Sequence, residues 1–221
     1  MTMLTFEQIR KDEKIKTYIK KADESLAALG FTEHSFPHVL RVADFAGNIL
    51  DELGYGDREV ELARIAGYIH DIGNMVNRVG HSQSGAVMAF EILREMGMKT
   101  EELCDIVSAI GNHDEGTGVP VNAMAAALIL ADKSDVRRSR VRNRDKTTFD
   151  IHDRVNYSVE KSTLKINKEN KTVTLKLIVD TEYGSVMDYF EIFLGRMIMC
   201  RKAAEKLGLI FRLVINEQTV V

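Results

Sequence analysis

The chain has 221 residues, which is long for one domain and short for two, so we expect one main domain with an appendage. Its 45% hydrophobic and 29% charged residues are typical of a globular protein, and a net charge of -3 gives no bias towards nucleic acid or a membrane. The sequence lacks a signal-peptide pattern and an apolar run long enough for a membrane span. Cys104 and Cys200 lie in apolar helical patterns, so we expect buried thiols and a cytoplasmic protein.

The first 135 residues predict a series of helices. Thr5 and Gln8 form a capping box for a helix that ends near Gly30, and Ser35 caps a second helix, which ends at Gly54. Asp57 is the predicted cap of a third helix. Three more helices are predicted over residues 86–96, 100–111 and 121–131.

Beyond Tyr157 the hydrophobic period changes from that of a helix to that of a strand. Residues 163–167 and 172–180 alternate around a turn at 168–170, a helix runs from Ser185 to Leu207, and residues 209–215 form a last strand. We predict a mainly α fold, a helical bundle with a small C-terminal α+β (β-β-α-β) appendage. The predicted domains are residues 1–160 and 161–221, the second with a three-stranded sheet covered by a helix on one face.

His70 and Asp71 are adjacent at the predicted end of the third helix. They offer an imidazole nitrogen and a carboxylate oxygen, a mixed donor set that suits a divalent transition metal. Two consecutive side chains converge on one ion most easily at a helix end. Other ligand-type residues also lie at or near predicted helix ends: His38, His81, His113 and Asp132.

The order His38, His70-Asp71, Asp132 on separate helices resembles the HD superfamily of metal-dependent phosphohydrolases over about residues 30–135. The segments that begin at His81 and Asn112 resemble the additional histidine segments of two-metal members. The resemblance implies that His38, His70, Asp71 and Asp132 hold one metal ion and that His81 and His113 hold a second. It also implies that Asp71 bridges the two ions. Iron or manganese is the expected metal, with magnesium, nickel, cobalt or zinc as alternatives. A helix cap is the alternative role for His81 and for His113.

The third histidine segment distinguishes this chain from the HD-GYP branch. That branch has two consecutive histidines and Gly-Tyr-Pro, whereas this chain has Asn112-His113-Asp114 and Gly118-Val119-Pro120. The chain is more similar to the bacterial diadenosine-tetraphosphate hydrolase type, and a divergent relative of HD-GYP or a separate branch with its own substrate stays open.

The resemblance implies hydrolysis of a phosphoester or phosphoanhydride of a small molecule, in the first place a nucleotide, by metal-activated water. Asp71 would be catalytic as the bridging carboxylate. Arg41 and Lys133 would neutralise charge on the phosphate, and a salt bridge at a helix edge is the alternative for each. The alternative function is a metal-stabilised sensor or partner-binding module without turnover. A homodimer stays open.

An arginine-rich run, Arg137 to Arg144, follows the last predicted ligand, Asp132. We expect Arg137 and Arg138 to bind the phosphate of the substrate, because guanidinium groups match phosphate oxygens. A solvated basic turn, or pairing with acidic residues of the appendage, is the alternative. The run lacks interleaved aromatic residues, so nucleic acid is not the expected partner. A second His-Asp pair, His152-Asp153, has no partner histidines downstream and is expected to lie outside the site.

Overall fold

The structure is a computed structural model that describes residues 3–220. Over this range the chain forms nine α-helices, four β-strands and three short 3-10 turns, at Ile72–Met75, Arg138–Arg140 and Lys146–Thr148. The helices are α1 (Phe6–Lys11), α2 (Glu13–Ala28), α3 (Phe36–Leu53), α4 (Asp57–Ile69), α5 (His81–Glu95), α6 (Thr100–Gly111), α7 (Ala123–Lys133), α8 (Ile151–Ser158) and α9 (Val186–Lys206). The strands are β1 (Val159–Asn167), β2 (Thr172–Val179), β3 (Ile210–Ile215) and β4 (Gln218–Thr219). The predicted fold class, mainly α with a C-terminal α+β part, is confirmed.

The N-terminal segment forms two helices where the sequence predicted one. The predicted capping box is present, because the Thr5 side chain accepts from the Gln8 amide and the Gln8 side chain accepts from the Thr5 amide. At Asp12 the backbone leaves the helical region, and Asp12 Oδ1 accepts a hydrogen bond of 2.9 Å from the Ile15 amide. This second cap begins α2, so the prediction of one continuous helix was wrong.

Three predicted helix starts are shifted, and α7 spans Ala123–Lys133 in place of residues 121–131. Gly56, and not Asp57, is the N-cap of α4, and Glu59 accepts a hydrogen bond of 3.1 Å from the Gly56 amide. Helix α5 begins at His81, earlier than the predicted start at Ala86. Polar side chains at the start of α5 are buried in the bundle, so tertiary contacts stabilise a helix where local polarity predicted a loop.

Helix α7 is the centre of the helical bundle. It is apolar all round and buried from Met124 to Ala131, as expected for a helix enclosed by others. Helices α3 and α4 approach closely beside it, since a Cβ at Gly67 would lie 2.7 Å from the Cα of Ala43. The close crossing brings the rings of His38 and His70 to a centroid distance of 5.3 Å.

The C-terminal part contains a sheet with the strand order β1-β2-β3-β4. Strands β1 and β2 are antiparallel, as the predicted hairpin requires, whereas β2 and β3 are parallel and are connected through α9. The short β4 adds a fourth strand that the sequence did not predict, and it pairs antiparallel with β3. Helix α8 was also not predicted. One cluster of buried hydrophobic residues includes α7, α9 and the strands, and a domain boundary at residue 160 stays a prediction.

The two cysteines differ in exposure. Cys200, on α9, is buried as predicted, and burial raises the pKa of its thiol to about 12. Cys104, on α6, is exposed, so the prediction of two buried thiols was wrong for this residue. No helix in the described range is both long enough and apolar enough to cross a membrane.

Candidate metal centre

The candidate metal centre lies where the ends of five helices, α3 to α7, meet around Asp71. Asp71 Oδ2 is 3.2 Å from Nε2 of His70 and 3.6 Å from Nε2 of His38. Asp71 Oδ1 is 3.5 Å from Nε2 of His81 and 3.7 Å from Nε2 of His113. The two oxygens of one carboxylate therefore face two different pairs of imidazoles.

Asp132, in the last turn of α7, completes the first pair. Its Oδ1 is 3.4 Å from Nε2 of His38 and 3.8 Å from Nε2 of His70. Among the described residues, three groups have ligand atoms that all lie within 4.8 Å of one another. These groups are His38–His70–Asp71, His70–His113–Asp132 and Asp71–His81–His113. The structure thus brings together all six residues for which the sequence predicted a ligand role.

Each of the four imidazoles is oriented by a partner at its Nδ1 atom. Three of the partners are main-chain carbonyls one helical turn back, at 2.8 Å for His70, 3.0 Å for His81 and 2.6 Å for His113. The partner of His38 is different, because its Nδ1 lies 2.8 Å from Oδ2 of the buried Asp135. Since carbonyls and carboxylates accept, the Nδ1 atoms donate, and the Nε2 atoms that face Asp71 are left to hold a proton or to bind a cation.

The surroundings of the Nε2 atoms indicate whether a cation fits at the candidate metal centre. In the part of the chain that the structure describes, Nε2 of His38 and Nε2 of His70 are buried without a hydrogen-bond partner. Nε2 of His81 and Nε2 of His113 are 3.2 Å apart, so two lone pairs face each other. Buried polar atoms without partners are costly, and a cation that accepts these lone pairs removes the cost. Imidazole and carboxylate donors in this arrangement fit divalent transition metals.

Electrostatics favour a cation at the same place. Burial alone would raise the pKa of Asp71, but its imidazole neighbours, His70 first, outweigh burial and hold the pKa well below its usual range. Burial would likewise raise the pKa of Asp132, and the adjacent Lys133 and the imidazoles hold it well below its usual range. Both carboxylates are therefore ionised at neutral pH, and two buried negative charges face the Nε2 atoms of the imidazoles.

Glycines position the second pair of histidines. A Cβ at Gly73 would collide with main-chain atoms of His81 and Gly85, so glycine allows the turn after α4 to pack directly on α5. Gly80 has a φ of +73°, in the left-handed region, immediately before α5. These two features place His81 in the first turn of α5, beside Asp71.

A cavity of about 400 Å³ opens beside the metal centre. Asp71, His81 and Asp132 line one end of it. Residues of α8 and α9, including His152 and Phe193, also line it. The C-terminal part of the chain therefore completes a cavity that begins at the metal centre.

Lys133 lines this cavity and connects the metal centre with α9. Its Nζ is 2.8 Å from Oδ2 of Asp132 and 2.6 Å from Oε2 of Glu115. The other carboxylate oxygen of Glu115 accepts a hydrogen bond of 3.0 Å from Nε of Arg196, on α9. A continuous chain of charges thus extends from α9 to a predicted ligand. The predicted role of Lys133 towards a phosphate stays a prediction.

Arg41 lies on the other side of the centre. Its Nε is 3.0 Å from Oδ1 of Asp135, and its Nη2 donates to the carbonyl of Ser162 at 2.8 Å. The guanidinium also lies over the ring of Phe45, 4.5 Å from its centroid. Arg41 is not among the residues that line the cavity, and its predicted action on a phosphate stays a prediction.

The two arginines predicted to bind the substrate are held by groups of the chain itself. Arg137 Nε donates to Oδ1 of Asp135 at 2.7 Å. Arg138 donates to the carbonyl of Tyr157 at 2.6 Å and to Oδ2 of Asp180 at 3.1 Å. Neither residue lines the cavity, and substrate binding by the pair stays a prediction.

Several residues of the site were not found from the sequence. Asp135 holds His38, and its position one helical turn after Asp132 was the available signal. His152 and Asp153 line the cavity, so the expectation that this pair lies outside the site was wrong. Short helix α8, which carries both residues, was not predicted, and it packs against α9, β1 and the turn at Arg138–Arg140.

Comparisons with known proteins place this geometry in a family. The sequence model described as HD domain matches residues 36–155, more than half of the chain. An uncharacterized protein of Methanocaldococcus jannaschii is 26% identical over 204 residues, which cover 82% of this chain and 78% of that protein.

Ribonuclease Y of Lawsonia intracellularis is 32% identical over 105 residues, and ribonuclease Y of Oceanobacillus iheyensis is 32% identical over 104 residues. These matches cover 48% and 46% of this chain but only 18% of each ribonuclease. The crystal structure of a predicted HD superfamily hydrolase from an uncultured Thermotogales bacterium aligns with a TM-score of 0.44 at 24% identity, over 56% of this chain and 67% of that one.

Proposed function

The chain belongs to the HD domain family, and we propose that it is a metal-dependent phosphohydrolase that acts on a small phosphorylated molecule, in the first place a nucleotide. The observation that carries the proposal is the position of Asp71. One carboxylate oxygen faces Nε2 of His38 and His70, and the other faces Nε2 of His81 and His113. Such an arrangement suits two divalent cations that share one carboxylate.

Divalent metal ions held by these residues would activate water and neutralise charge on a phosphoryl group. Other residues of the chain orient the ligands and place a positive charge at the cavity. Asn74 donates to Oδ1 of Asp71 at 2.9 Å and so fixes the plane of the bridging carboxylate. Asp135 fixes His38, and Lys133 places an ammonium group at the cavity beside Asp132, where it can also approach a phosphate oxygen.

The likeness to ribonuclease Y makes RNA the second substrate class to test. The arginine-rich run gives this class little support, because four of its guanidinium groups, those of Arg137, Arg138, Arg140 and Arg142, form hydrogen bonds within the chain. Arg140 donates to the carbonyl of Asp135 at 2.6 Å, and Arg142 donates to the carbonyl of Phe31 at 3.0 Å. The cavity of about 400 Å³ is also suited to a small ligand. We therefore place a small phosphorylated molecule before RNA.

The test is phosphate release from a panel of phosphorylated small molecules and from a short RNA, with manganese or iron added. We expect turnover of at least one small molecule by the wild-type protein and its loss in Asp71→Ala, whose circular dichroism should stay native. Asp44→Ala is the matched control, because Asp44 is an exposed carboxylate on α3. Equal turnover in the wild type and Asp71→Ala would contradict the proposal.

A metal-stabilised sensor or partner-binding module is the rival function. It predicts metal binding without release of phosphate from any member of the panel. Metal binding and turnover measured on the same preparation therefore separate the two functions. A homodimer and a cytoplasmic location stay predictions.

A further inference from the structure

Arg78 differs from the other cationic residues that line the cavity. Lys133 is paired with Asp132 and Glu115, Arg196 is paired with Glu115, and Arg140 has a carboxylate oxygen 3.7 Å away. Arg78 has no carboxylate oxygen within 4.0 Å among the described residues. An arginine without a counter-charge at the edge of a cavity is available to bind an anion.

Arg78 also contacts two residues that surround Asp71. Its Nη1 is 3.5 Å from Nε2 of His81 and 3.3 Å from Oδ1 of Asn74, and Asn74 in turn donates to Asp71. A phosphoryl group bound by Arg78 would therefore be next to the predicted metal ligands. The planar guanidinium can donate two parallel hydrogen bonds to one phosphate.

The α8 side of the cavity has the opposite charge. Asp150, the N-cap of α8, and Asp153, in its first turn, both line the cavity, and neither forms an ion pair within the described range. Asp150 Oδ1 accepts from the Asp153 amide at 2.7 Å and Asp153 Oδ2 from Asn143 at 3.2 Å, which leaves one carboxylate oxygen of each to accept from a ligand. Carboxylates accept hydrogen bonds from hydroxyl groups. They also repel phosphate, so a polyphosphate that extends from Arg78 towards α8 would meet like charge.

The lining also has an apolar edge near Arg78. Phe31 is 41% exposed and Leu29 is 64% exposed, and both line the cavity. The guanidinium of Arg78 is 5.6 Å from the centroid of the Phe31 ring. A planar aromatic base can stack on such an exposed ring.

From these three features we infer that the cavity binds a nucleoside monophosphate, in preference to a nucleoside triphosphate or a dinucleoside polyphosphate. Arg78 binds the phosphoryl group, Asp150 and Asp153 accept from sugar hydroxyls, and Phe31 stacks on the base. The inference deepens the proposed function for turnover, but the binding preference can be measured without turnover.

The first experiment measures binding of inorganic phosphate by calorimetry to the protein with its metal. Loss of one charge-assisted contact typically weakens binding by about 10- to 100-fold, so Arg78→Ala should raise the Kd by that factor and Arg78→Lys by less. Arg94→Ala is the matched control. Arg94, on α5, lies 5.9 Å from the ring centroid of Phe90 and is exposed, but it does not line the cavity. An unchanged Kd in Arg78→Ala would overturn the assignment of Arg78.

The second experiment compares the Kd and kcat/KM of a nucleoside monophosphate with those of the triphosphate and dinucleoside tetraphosphate of the same base. We expect the monophosphate to be preferred by about tenfold or more, the effect of one repulsive contact of ~1.4 kcal/mol. The double variant Asp150→Asn, Asp153→Asn should reduce the preference, and asparagine still caps α8. Equal or tighter binding of the polyphosphates by the wild type would overturn the inference. Release of phosphate from none of the three with a retained binding preference would contradict the proposed function alone.

Discussion

Replacement of Asp135 by asparagine tests whether the carboxylate behind His38 contributes to metal binding. The Asp135 side chain is fully buried, and its Oδ2 lies 2.8 Å from Nδ1 of His38. The substitution keeps the size of the side chain but removes the charge that makes the imidazole a stronger ligand. It also allows an amide N–H to point at His38, which would disfavour the tautomer that presents Nε2 to the metal.

The expected magnitude follows from this contact. Loss of a partner that orients a ligand typically lowers metal affinity by about 10- to 100-fold, or ~1.4–2.7 kcal/mol. Arg41 and Arg137 also lose a charged partner, but their side chains are 31% and 21% exposed, so water compensates part of the loss. The buried Arg140, 3.7 Å from Oδ2 of Asp135, loses this charged partner too but keeps its hydrogen bonds to the carbonyls of Glu33 and Asp135. We therefore expect Asp135→Asn to remain folded and to bind one metal ion more weakly.

The assay is a titration with manganese in competition with a metal chelator of known affinity. Asp180→Asn is the matched control, because it also removes an arginine partner, that of Arg138, at 3.1 Å, but has no contact with His38. We expect Asp180→Asn to bind metal as the wild type does. Wild-type affinity in Asp135→Asn, with native circular dichroism, would refute the reasoning that the His38–Asp135 contact supports a ligand.

Three further predictions address the metal count, the thiols and the helix crossing. Elemental analysis should find two metal equivalents in the wild type and about one fewer in His81→Ala, because the second pair loses a ligand; one equivalent in both proteins would contradict this. A thiol reagent should label Cys104 rapidly in the native protein and Cys200 only after unfolding, since Cys200 is buried with a pKa of about 12; rapid labelling of two thiols would contradict the packing of α9. In thermal unfolding, Gly67→Ala should lower the free energy of unfolding by ~1–3 kcal/mol, because the added methyl group collides with α3. Gly195→Ala should raise the free energy of unfolding by ~0.5–1 kcal/mol, because Gly195 is exposed on α9 with open space around it. Equal shifts in the two variants would contradict the close crossing of α3 and α4.

The sequence predicted the ligands of the candidate site better than their surroundings. His38, His70, Asp71 and Asp132 occur in an order that resembles a known family. Ser35 marks the helix start at His38 and Gly73 the helix end at His70-Asp71, whereas Asp132 is found only as the first charged residue after an apolar run. Arg78 carries no such signal. Its relevance comes from a comparison of ion pairs around the cavity, which depends on distances between residues far apart in the chain.

The errors in the predicted fold have local physical causes. Asp12 caps a new helix inside a segment whose hydrophobic period is continuous, and periodicity alone does not detect this break. Helix α8 spans Ile151–Ser158 and is too short for a clear period, while β4 spans only Gln218–Thr219. Cys104 occupies an apolar pattern on α6 but is exposed. The prediction of a buried thiol was wrong because the pattern does not specify which of two adjacent helix faces is covered.

A series of ion pairs connects α9 with the metal centre, from Arg196 through Glu115 and Lys133 to Asp132, and it has a thermodynamic consequence. This series of ion pairs couples binding at the metal centre to the docking of α9, and such a coupling is reciprocal: docking changes the affinity of the centre by the same factor by which a ligand at the centre changes the docking equilibrium. A ligand that binds only the folded centre should therefore slow hydrogen exchange of the α9 amides, although α9 supplies none of the six predicted ligands. A chain cut after residue 160 would leave Glu115 without Arg196, and the ammonium of Lys133 would then be its remaining partner.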